Sequence, residues 1–452
     1  MEENILGKEK ISTLFLKYSI PSIAGMLFLG LNTIVDGFFI GNYIGMNALA
    51  SVNIAMPFMS VMIAVGVVIG IGTQSIIGRR LGEGDIEAAN DTFKTSLLIM
   101  ASISILLLLI AVGFTKQIAV FLGTNEQLMP QVTTYVSCVG LFLPLLGLMF
   151  VLDYVLKIMG KPIYSMMVLL VAIISHIIFN YLFIKQLGMG IKGAAFATGL
   201  SYCIAFAMAL LPFITGRTTV KLFRGSFKKT IACNIMYNGS AEGLTEVCAG
   251  ITTFLFNITL MCYVGEIGIA AFTAISYLSF IGNNILIGLA DGVGAIISYN
   301  YGRGNVERVR KALKLTVFSA FFIGVGIFII ISNFSREIIM IFFDANNDRV
   351  LNFAVYGAKI YAFAFLVSGL NIVASGYFTA ICDPKSSALI AISKGMVGIG
   401  ICLTVLPSIL GIKGIWLTVP VAEILTLILT VSLMYKQFKY QESNMNGRDG
   451  EK

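Results

Sequence analysis

Twelve long apolar stretches run through the sequence and set the strongest limit on what the chain can fold into. They cover residues 14–40, 48–77, 92–114, 132–155, 162–184, 191–213, 233–264, 270–298, 310–334, 351–378, 386–408 and 413–437. About 20 helical residues cross the ~30 Å of hydrocarbon in a bilayer. Charged residues make up only 12% of the chain, against roughly 25% in soluble domains. The sequence therefore predicts an all-α integral membrane protein with twelve transmembrane helices.

Positive charge is unevenly divided between the predicted loops. The formal net charge is +8, and most lysines and arginines lie in the two tails and in the loops on one side. The loop between helices 6 and 7 alone contains Arg217, Lys221, Arg224, Lys228 and Lys229. Basic residues stay on the cytoplasmic side during insertion. We therefore expect a multi-pass protein of the cell (plasma or inner) membrane with both termini in the cytoplasm, and no nucleic-acid partner.

Short motifs recur at a spacing of about 220 residues. RLGEGDIE at 80–87 returns as NYGRGNVE at 300–307, and GIKG at 190–193 returns at 411–414. Several matches in the same order, at equivalent places in the pattern of spans, indicate a duplicated six-helix unit. Because six is even, both copies enter the membrane from the same side, which makes the repeat a parallel one.

The repeat predicts four regions along the chain. They are an N-terminal lobe (1–213, helices 1–6), a cytoplasmic linker (214–230), a C-terminal lobe (231–437, helices 7–12) and a cytoplasmic tail (438–452). The lobes are expected to be related by a pseudo-two-fold axis along the membrane normal. Two such lobes are typical of secondary transporters, and the sequence has no G-x-x-x-x-G-K-[ST] loop for ATP. We expect a transporter rather than an enzyme, with no cofactor.

Ionisable side chains inside the predicted spans are the first candidates for function, because each costs about 2.5 to 3.5 kcal/mol at mid-helix on insertion scales. The only histidine of the chain, His176, is one of them. A rise of about 1.5 Å per residue places it with Asp36, Asn180 and Thr198 in the outer half of one lobe. Asp153 and Lys157 lie four residues apart on one helix, so we expect them to form a structural ion pair.

Five longer motifs are spread along the chain. They are PSIAGMLFLGLNTIVDGFFIG at 21–41, GRRLGEGD at 78–85, MGKP at 159–162, GIKGAAFATGLS at 190–201 and IISYNYGRGN at 296–305. Together they resemble the multidrug and toxic compound extrusion (MATE) family, in its prokaryotic DinF-like branch, over essentially the whole chain. The resemblance implies a twelve-helix, two-lobe antiporter that expels amphipathic, often cationic compounds against an inward flow of Na⁺ or H⁺.

The resemblance also implies an ion-coupling site. In that branch the ion is held by an Asp on helix 1, an Asn-x-x-x-Asp pair on helix 5 and a Thr on helix 6. This chain matches at Asp36 and Thr198, but it has His176 for the Asn and Asn180 for the second Asp. A histidine titrates near pH 6.5 and can therefore bind a proton. For Na⁺, a site with Asn180 in place of the second Asp offers one carboxylate ligand fewer. We hypothesise that Asp36 and His176 bind a proton, with Na⁺ at the Asp36 site as the second choice. A neutral His176 that only bonds a neighbouring helix is the alternative.

The second half of the chain supplies candidates for binding the exported compound. Glu242 and Glu246 share a face of helix 7, and Asp291 occupies a position on helix 8 that members of the family use for substrate. Buried carboxylates hold a lipophilic cation by charge, while Met and aromatic neighbours adapt to its shape. Hydrogen bonds that lock helices 7, 8 and 12 together, including Glu423, are the structural alternative.

Two function classes follow, and they differ in the charge that the central cavity needs. The first is a cation-coupled (H⁺ or Na⁺) antiporter that exports amphipathic, cationic drugs by alternating access, working as a monomer in the lipid bilayer. The alternative is a flippase for lipid-linked precursors of the same superfamily. A flippase needs a basic cavity for pyrophosphate, whereas the intramembrane charges of this sequence are mainly acidic.

Overall fold

The computed structural model of the protein describes residues 5–342 and 348–449 and is helical, without strands, in those ranges. The membrane spans are α1 (Ile11–Tyr43), α2 (Met46–Glu83), α3 (Ile86–Gly113), α4 (Met129–Gly140 followed by Leu143–Ile158), α5 (Pro162–Gln186), α6 (Gly190–Ile214), α7 (Lys229–Tyr263), α8 (Glu266–Gly302), α9 (Val306–Met340), α10 (Asp348–Ala380), α11 (Pro384–Leu410) and α12 (Ile412–Ser443). Two short helices, Ile5–Lys8 and Thr115–Phe121, lie outside these spans. Residues 450–452 of the predicted tail lie outside the described residues.

All twelve predicted spans are present, and each predicted stretch lies within an observed helix or ends one residue beyond it. One span differs in shape: the two segments of α4 meet at Leu141 and Phe142 with a bend of 51°. Pro144 stands in the first turn of the second segment. Its missing N–H and fixed φ suit the start of a helix but cannot continue the preceding one. The sequence predicted one continuous helix because hydropathy averages over such a break.

The internal repeat is visible in the helix boundaries. α2 and α8 begin at Met46 and Glu266, and α3 and α9 begin at Ile86 and Val306, 220 residues apart in both cases. Lipid offers no partner for backbone polar groups, so each apolar run has to satisfy its own N–H and C=O groups as a helix. The matching boundaries confirm that the two sequence halves fold into the same order of helices.

The repeated G-x-G-[DN] motif has a structural cause. Gly84 (φ 82°), directly after α2, and Gly304 (φ 73°), two residues after the end of α8, adopt the left-handed conformation, which favours glycine at helix ends. The next residues, Asp85 and Asn305, cap the following helices by accepting the N–H three residues later, at 2.9 Å and 3.1 Å. The motif therefore ends one helix and begins the next in both copies.

π-helical turns interrupt two equivalent spans, α5 and α11. In α5 the turn covers Tyr181–Gln186 and follows directly after Asn180. In α11 it covers Ser393–Val397 and contains Lys394. Such turns are rare and frequently lie at functional sites, where they change the direction in which side chains point. Each of these turns adjoins a buried polar cluster.

By its internal contacts the described chain forms two compact units. The first contains the chain up to Gly243 with Asp291–Ala312 and Ala380–Cys382; the second contains Leu244–Ala290, Leu313–Thr379 and the chain from Asp383. The first unit takes in segments of both sequence halves, whereas the second contains segments of the second half only. The lobes 1–213 and 231–437 follow the repeat and stay a prediction. The non-helical linker lies between Ile214, where α6 ends, and Lys229, where α7 begins.

Candidate functional site

The four predicted ion-coupling residues form one buried polar cluster in the first unit. Asp36 lies on α1, His176 and Asn180 lie on α5, and Thr198 lies on α6. His176 is 1% exposed and Asn180 is 0% exposed. The three helices come from separate parts of the sequence, and the cluster lies where they meet. The structure thus brings together the residues that helix rise alone placed at a similar depth.

Asp36 is the centre of this cluster. Its Oδ1 atom lies 3.0 Å from Nε2 of His176 and accepts a hydrogen bond of 3.1 Å from Nδ2 of Asn180. Its Oδ2 atom accepts a hydrogen bond of 3.4 Å from the Thr198 hydroxyl. All three partners therefore contact the one carboxylate, which has no other acidic group beside it in these contacts.

The contact of 3.0 Å between His176 and Asp36 fits a shared proton, in which Nε2–H donates to the carboxylate or a carboxylic O–H donates to Nε2. The same Nε2 atom lies 3.1 Å from Nδ2 of Asn180 and 3.3 Å from the Thr198 hydroxyl, and either group can donate to it when it carries no hydrogen. The other ring nitrogen, Nδ1, lies 3.1 Å from Oδ1 of Asn32. An amide oxygen only accepts, so Nδ1 carries a hydrogen when Asn32 is oriented in this way. With Asn32 in this orientation and a proton shared between Nε2 and Asp36, the pair carries one proton more than a carboxylate beside a neutral imidazole.

Asn32 and Tyr202 belong to the cluster although the sequence did not single them out. Nδ2 of Asn32 donates to the Tyr202 hydroxyl at 3.3 Å. A simple signal exists for both residues: each lies four positions from a predicted site residue on the same helix, Asn32 from Asp36 and Tyr202 from Thr198. Residues four apart share a helix face, so polar pairs at this spacing on α1, α5 and α6 mark the faces that meet.

The oxygen atoms of the cluster decide how well it suits a metal cation. Oδ1 of Asn180 is buried and has no hydrogen-bond partner among the described residues, so it is available as a ligand. Hard cations prefer several oxygen ligands, among them carboxylates. Here one oxygen of the single carboxylate already contacts the nitrogen of His176. One oxygen of the single carboxylate is therefore already engaged by a nitrogen, while Oδ1 of Asn180 stays open.

Asp291, a predicted substrate residue, lies in a second ionic cluster of the first unit. Its Oδ2 atom is 2.7 Å from Nζ of Lys157, and Lys157 is 3.0 Å from Oδ2 of Asp153. The Ser165 hydroxyl donates to Asp153 at 2.5 Å. The three charged side chains are 5–6% exposed. The expected pair of Asp153 and Lys157 is confirmed, and Asp291 joins it as a second carboxylate.

Glu242 and Glu246 stand one helical turn apart on α7. Glu242 is half-buried, and Glu246 is exposed. The contacts of Asp291 described above connect it to Lys157 rather than to either glutamate. The described contacts of Asp291 therefore do not connect the three predicted substrate residues to one another. Their role in binding the exported compound stays a prediction.

The second unit has a buried carboxylate of its own, Glu423 on α12. It contacts Nζ of Lys394 at 3.1 Å and accepts a hydrogen bond of 2.7 Å from Nδ2 of Asn371. The Thr430 hydroxyl in turn donates to Asn371 at 2.9 Å. These bonds connect α10, α11 and α12. The charge of Glu423 is thus neutralised within the unit, but by α10 and α11 rather than by helices 7 and 8, which the structural alternative named.

Comparison with known proteins gives a consistent family. A family model described as MatE matches residues 21–182 and again residues 244–406, once in each half of the repeat. The multidrug export protein MepA of Staphylococcus saprophyticus is 23% identical over 438 residues, 96% of each chain. MepA of Staphylococcus haemolyticus is 25% identical over 420 residues, 92% of each chain.

Solved structures share the fold at low sequence identity. The crystal structure of MATE in complex with MaL6 superposes with a TM-score of 0.92 at 20% identity, covering 98% of this chain and 100% of the other. A MOP superfamily transporter from Pyrococcus furiosus, described as having a binding pocket of reversed polarity, gives 0.91 at 21% identity, covering 98% and 99%. These matches confirm the twelve-helix, two-lobe fold, while the DinF-like branch stays a prediction. The chain belongs to the MatE family, the multidrug and toxic compound extrusion transporters that its motifs resemble.

Proposed function

We propose that the protein is a proton-coupled antiporter that exports amphipathic organic cations across the plasma membrane by alternating access. The staphylococcal relatives are named multidrug export proteins, and they align over nearly the whole chain. The contact of 3.0 Å between His176 Nε2 and Asp36 Oδ1 carries the choice of the proton over Na⁺. It supports a shared proton and occupies a carboxylate oxygen that Na⁺ would need.

Two hydrogen-bond arrangements fit the same atoms of the cluster. In the protonated one, His176 donates from Nε2 to Asp36 and from Nδ1 to the oxygen of Asn32. In the other, the amide of Asn32 is turned by half a rotation, so its NH₂ donates to Nδ1 and its oxygen accepts from Tyr202. His176 is then neutral, with its hydrogen on Nε2 beside a charged Asp36. The two arrangements differ by one proton, and both keep the contact between Asp36 and His176.

The charge of the cluster changes with this proton. Asp36 and His176 together are neutral when the proton is bound and carry one negative charge when it has left. A buried uncompensated charge is costly, so the two states favour different packing of α1, α5 and α6. This difference is what couples proton entry to the change between outward-open and inward-open states.

The proton gradient supplies enough free energy for useful export. One charge moving across 100 mV gains about 2.3 kcal/mol, and one decade of pH difference adds about 1.4 kcal/mol. Their sum is a factor of several hundred, since about 1.4 kcal/mol is a factor of ten; for a singly charged cation this factor is measured from the inward accumulation that the membrane potential alone would produce. One proton per exported compound is therefore sufficient.

Glu242 and Glu246 are the favoured carboxylates for attracting the cationic compound. Asp291 already contacts Lys157, so it takes part only when the compound displaces that ammonium group. Lys157 and Lys394 both contact carboxylates, so neither offers an unneutralised positive charge to a pyrophosphate. This arrangement counts against the flippase alternative.

The test is dye export by proteoliposomes in which pH and sodium gradients are imposed separately. We expect a pH gradient alone to drive ethidium export by the parent chain and a sodium gradient alone to fail. His176→Asn should reduce proton-driven export at least about tenfold, the effect of roughly 1.4 kcal/mol. Ser175→Ala is the matched control, because the Ser175 hydroxyl bonds only to backbone oxygens of its own helix in this structure.

Two outcomes would contradict the proposed coupling. One is export driven by sodium alone at the rate seen with a pH gradient. The other is unchanged proton-driven export in His176→Asn, which would remove His176 from the mechanism and leave a neutral structural histidine. Lipid scrambling without dye export in the same vesicles would instead support the flippase.

A further inference from the structure

The linker between α6 and α7 is fixed to the beginning of α3 by backbone hydrogen bonds. The N–H of Lys221 donates to Oδ1 of Asn90 at 2.7 Å, and the N–H of Ser226 donates to Oδ1 of Asp91 at 2.7 Å. Val220 is fully buried. The linker therefore follows a defined path over the first unit instead of extending freely into solvent.

The position of these bonds along α3 sets the depth of the linker. α3 has 28 residues, which is about 42 Å at 1.5 Å per residue. Its charged residues Glu87, Asp91 and Lys94 all precede Thr95, and the uncharged stretch from Thr95 to Gly113 is about 28 Å long, close to the ~30 Å hydrocarbon core. Asn90 is the fifth residue of α3, and Thr95, which accepts the N–H of Lys228 at 3.2 Å, is the tenth. The linker thus runs from the headgroup level towards the edge of the hydrocarbon.

The outward side of the linker combines aromatic and basic side chains. Phe223 is 87% exposed and Phe227 is 53% exposed. Arg217, Arg224 and Lys229 are exposed beside them. Together these five residues are called the linker face below. The two rings are among the large apolar side chains that the described structure leaves uncovered.

Lys228 lies among these residues in the sequence but is not part of the linker face. Its ammonium group contacts the carboxylate of Asp91, and this hydrogen bond raises the pKa of Lys228 above its usual value. The positive charge is thus directed towards α3. The contact anchors the linker, and Lys221 donates from Nζ to the backbone oxygen of Gly216, while Arg217, Arg224 and Lys229 are exposed.

We propose that the linker face binds anionic phospholipid headgroups of the adjacent leaflet, with Phe223 and Phe227 inserted at the interface. Aromatic rings favour the boundary between headgroups and hydrocarbon. Basic residues at that level are attracted to anionic lipid, by about fivefold in binding for each residue near the surface. The occupant follows from the depth of the linker and from its charge. A water-facing loop at this level has no reason to expose two phenyl rings between three positive charges.

The experiment uses the fact that the chain has a single tryptophan, Trp416, which is fully buried. Phe223→Trp places a second, exposed indole on the linker face of the full-length protein. The variant is reconstituted in vesicles of equal parts phosphatidylglycerol and phosphatidylcholine, with bromine on the acyl chains of one lipid or the other. Quenching of the fluorescence added over the parent chain reports which lipid lies beside residue 223.

We expect brominated phosphatidylglycerol to quench several-fold more strongly than brominated phosphatidylcholine at this position. Adding Arg217→Gln, Arg224→Gln and Lys229→Gln should bring the ratio to one, because the charges that select the lipid are gone. Phe121→Trp is the matched control: Phe121 is 90% exposed at the end of the short helix Thr115–Phe121, which lacks such a basic cluster, and its ratio should be one throughout. Equal quenching by the two lipids at residue 223, or none by either, would overturn the proposal.

Discussion

Nζ of Lys157 on α4 lies 2.7 Å from Oδ2 of Asp291 on α8 and 3.0 Å from Oδ2 of Asp153 on its own helix. One buried lysine therefore bridges two buried carboxylates. Its positive charge is what makes both negative charges tolerable in surroundings that exclude water. Whatever part Asp291 takes in export, its first role in this conformation is in the packing of the first unit.

Lys157→Met should strongly destabilise the protein. The variant keeps the volume but leaves Asp153 and Asp291 as adjacent buried charges without a cation beside them, which costs about 3 to 5 kcal/mol. Lys394→Met is the matched control, because Lys394 contacts a single carboxylate and is 26% exposed. Thermal unfolding of the detergent-solubilised variants measures the difference. Equal unfolding temperatures for the two variants would show that the bridge of Lys157 has no special weight.

Asn32→Leu should move the pH dependence of transport to more acidic values. The variant removes the acceptor of Nδ1–H and so weakens the protonated arrangement of His176, which then needs a higher proton concentration to form. A hydrogen bond to a charged group contributes about 1.5 to 3 kcal/mol, so a shift of about one pH unit is expected. Dye export measured over a pH series gives the midpoint. Asn42→Leu is the control, since Asn42 bonds only the backbone of its own helix among the contacts described; a fall in rate without a shifted midpoint would indicate a purely structural role.

Gly199→Ala should disturb the cluster around Asp36, although Gly199 is not one of its polar residues. An added Cβ would overlap the ring of Phe142, which fills the bend of α4 and packs on α6 beside Thr198. Overpacking of this kind costs about 1 to 3 kcal/mol. Gly250→Ala on α7 meets open space and is expected to stabilise by a few tenths of a kcal/mol, up to about 1. Thermal unfolding and dye export of both variants test this, and equal behaviour would mean that the bend adapts freely.

Cys382, in the turn between α10 and α11, should resist alkylation up to high pH. Burial raises the pKa of its thiol from about 9 to about 11. The reaction rate with iodoacetamide follows the thiolate, so in the folded protein it should keep rising tenfold per pH unit towards pH 11. After unfolding in SDS it should level off near pH 9. Above about pH 9 the Cys382 thiol loses its proton in the unfolded state but keeps it in the folded state. This thiol's contribution to stability therefore declines as pH rises above about 9. Cys382→Ala identifies the signal, and plateaus at the same pH would contradict the prediction.

The fold was largely predictable because the membrane makes hydropathy and helix coincide. Each span depends on residues within one helix, and the repeat shows in short motifs that each lie within one helix or one turn. The 51° bend of α4 was missed, since Pro144 at the start of its second segment is also compatible with an unbroken span. A local sequence pattern predicts those parts of the structure that depend on residues close together in the chain.

The candidate site was predictable only in part, for the same physical reason. Asp36 and His176 stood out because ionisable groups are costly in lipid. Asn32 did not, because a neutral amide carries a smaller penalty and no charge to draw attention. The contact between Lys157 and Asp291 joins residues 134 positions apart. No spacing rule within one helix could have indicated it, and it is this contact that changes the interpretation of Asp291.

Proton release on substrate binding tests the central claim most directly. Purified protein in weakly buffered detergent solution at pH 7 is mixed with ethidium while a pH indicator counts the protons released. We expect about one proton per chain from the parent and none from Asp36→Asn, which has no carboxylate to share a proton with His176. An Asp36→Asn protein that binds the dye and still releases a proton would contradict the assignment of the coupling proton to Asp36 and His176.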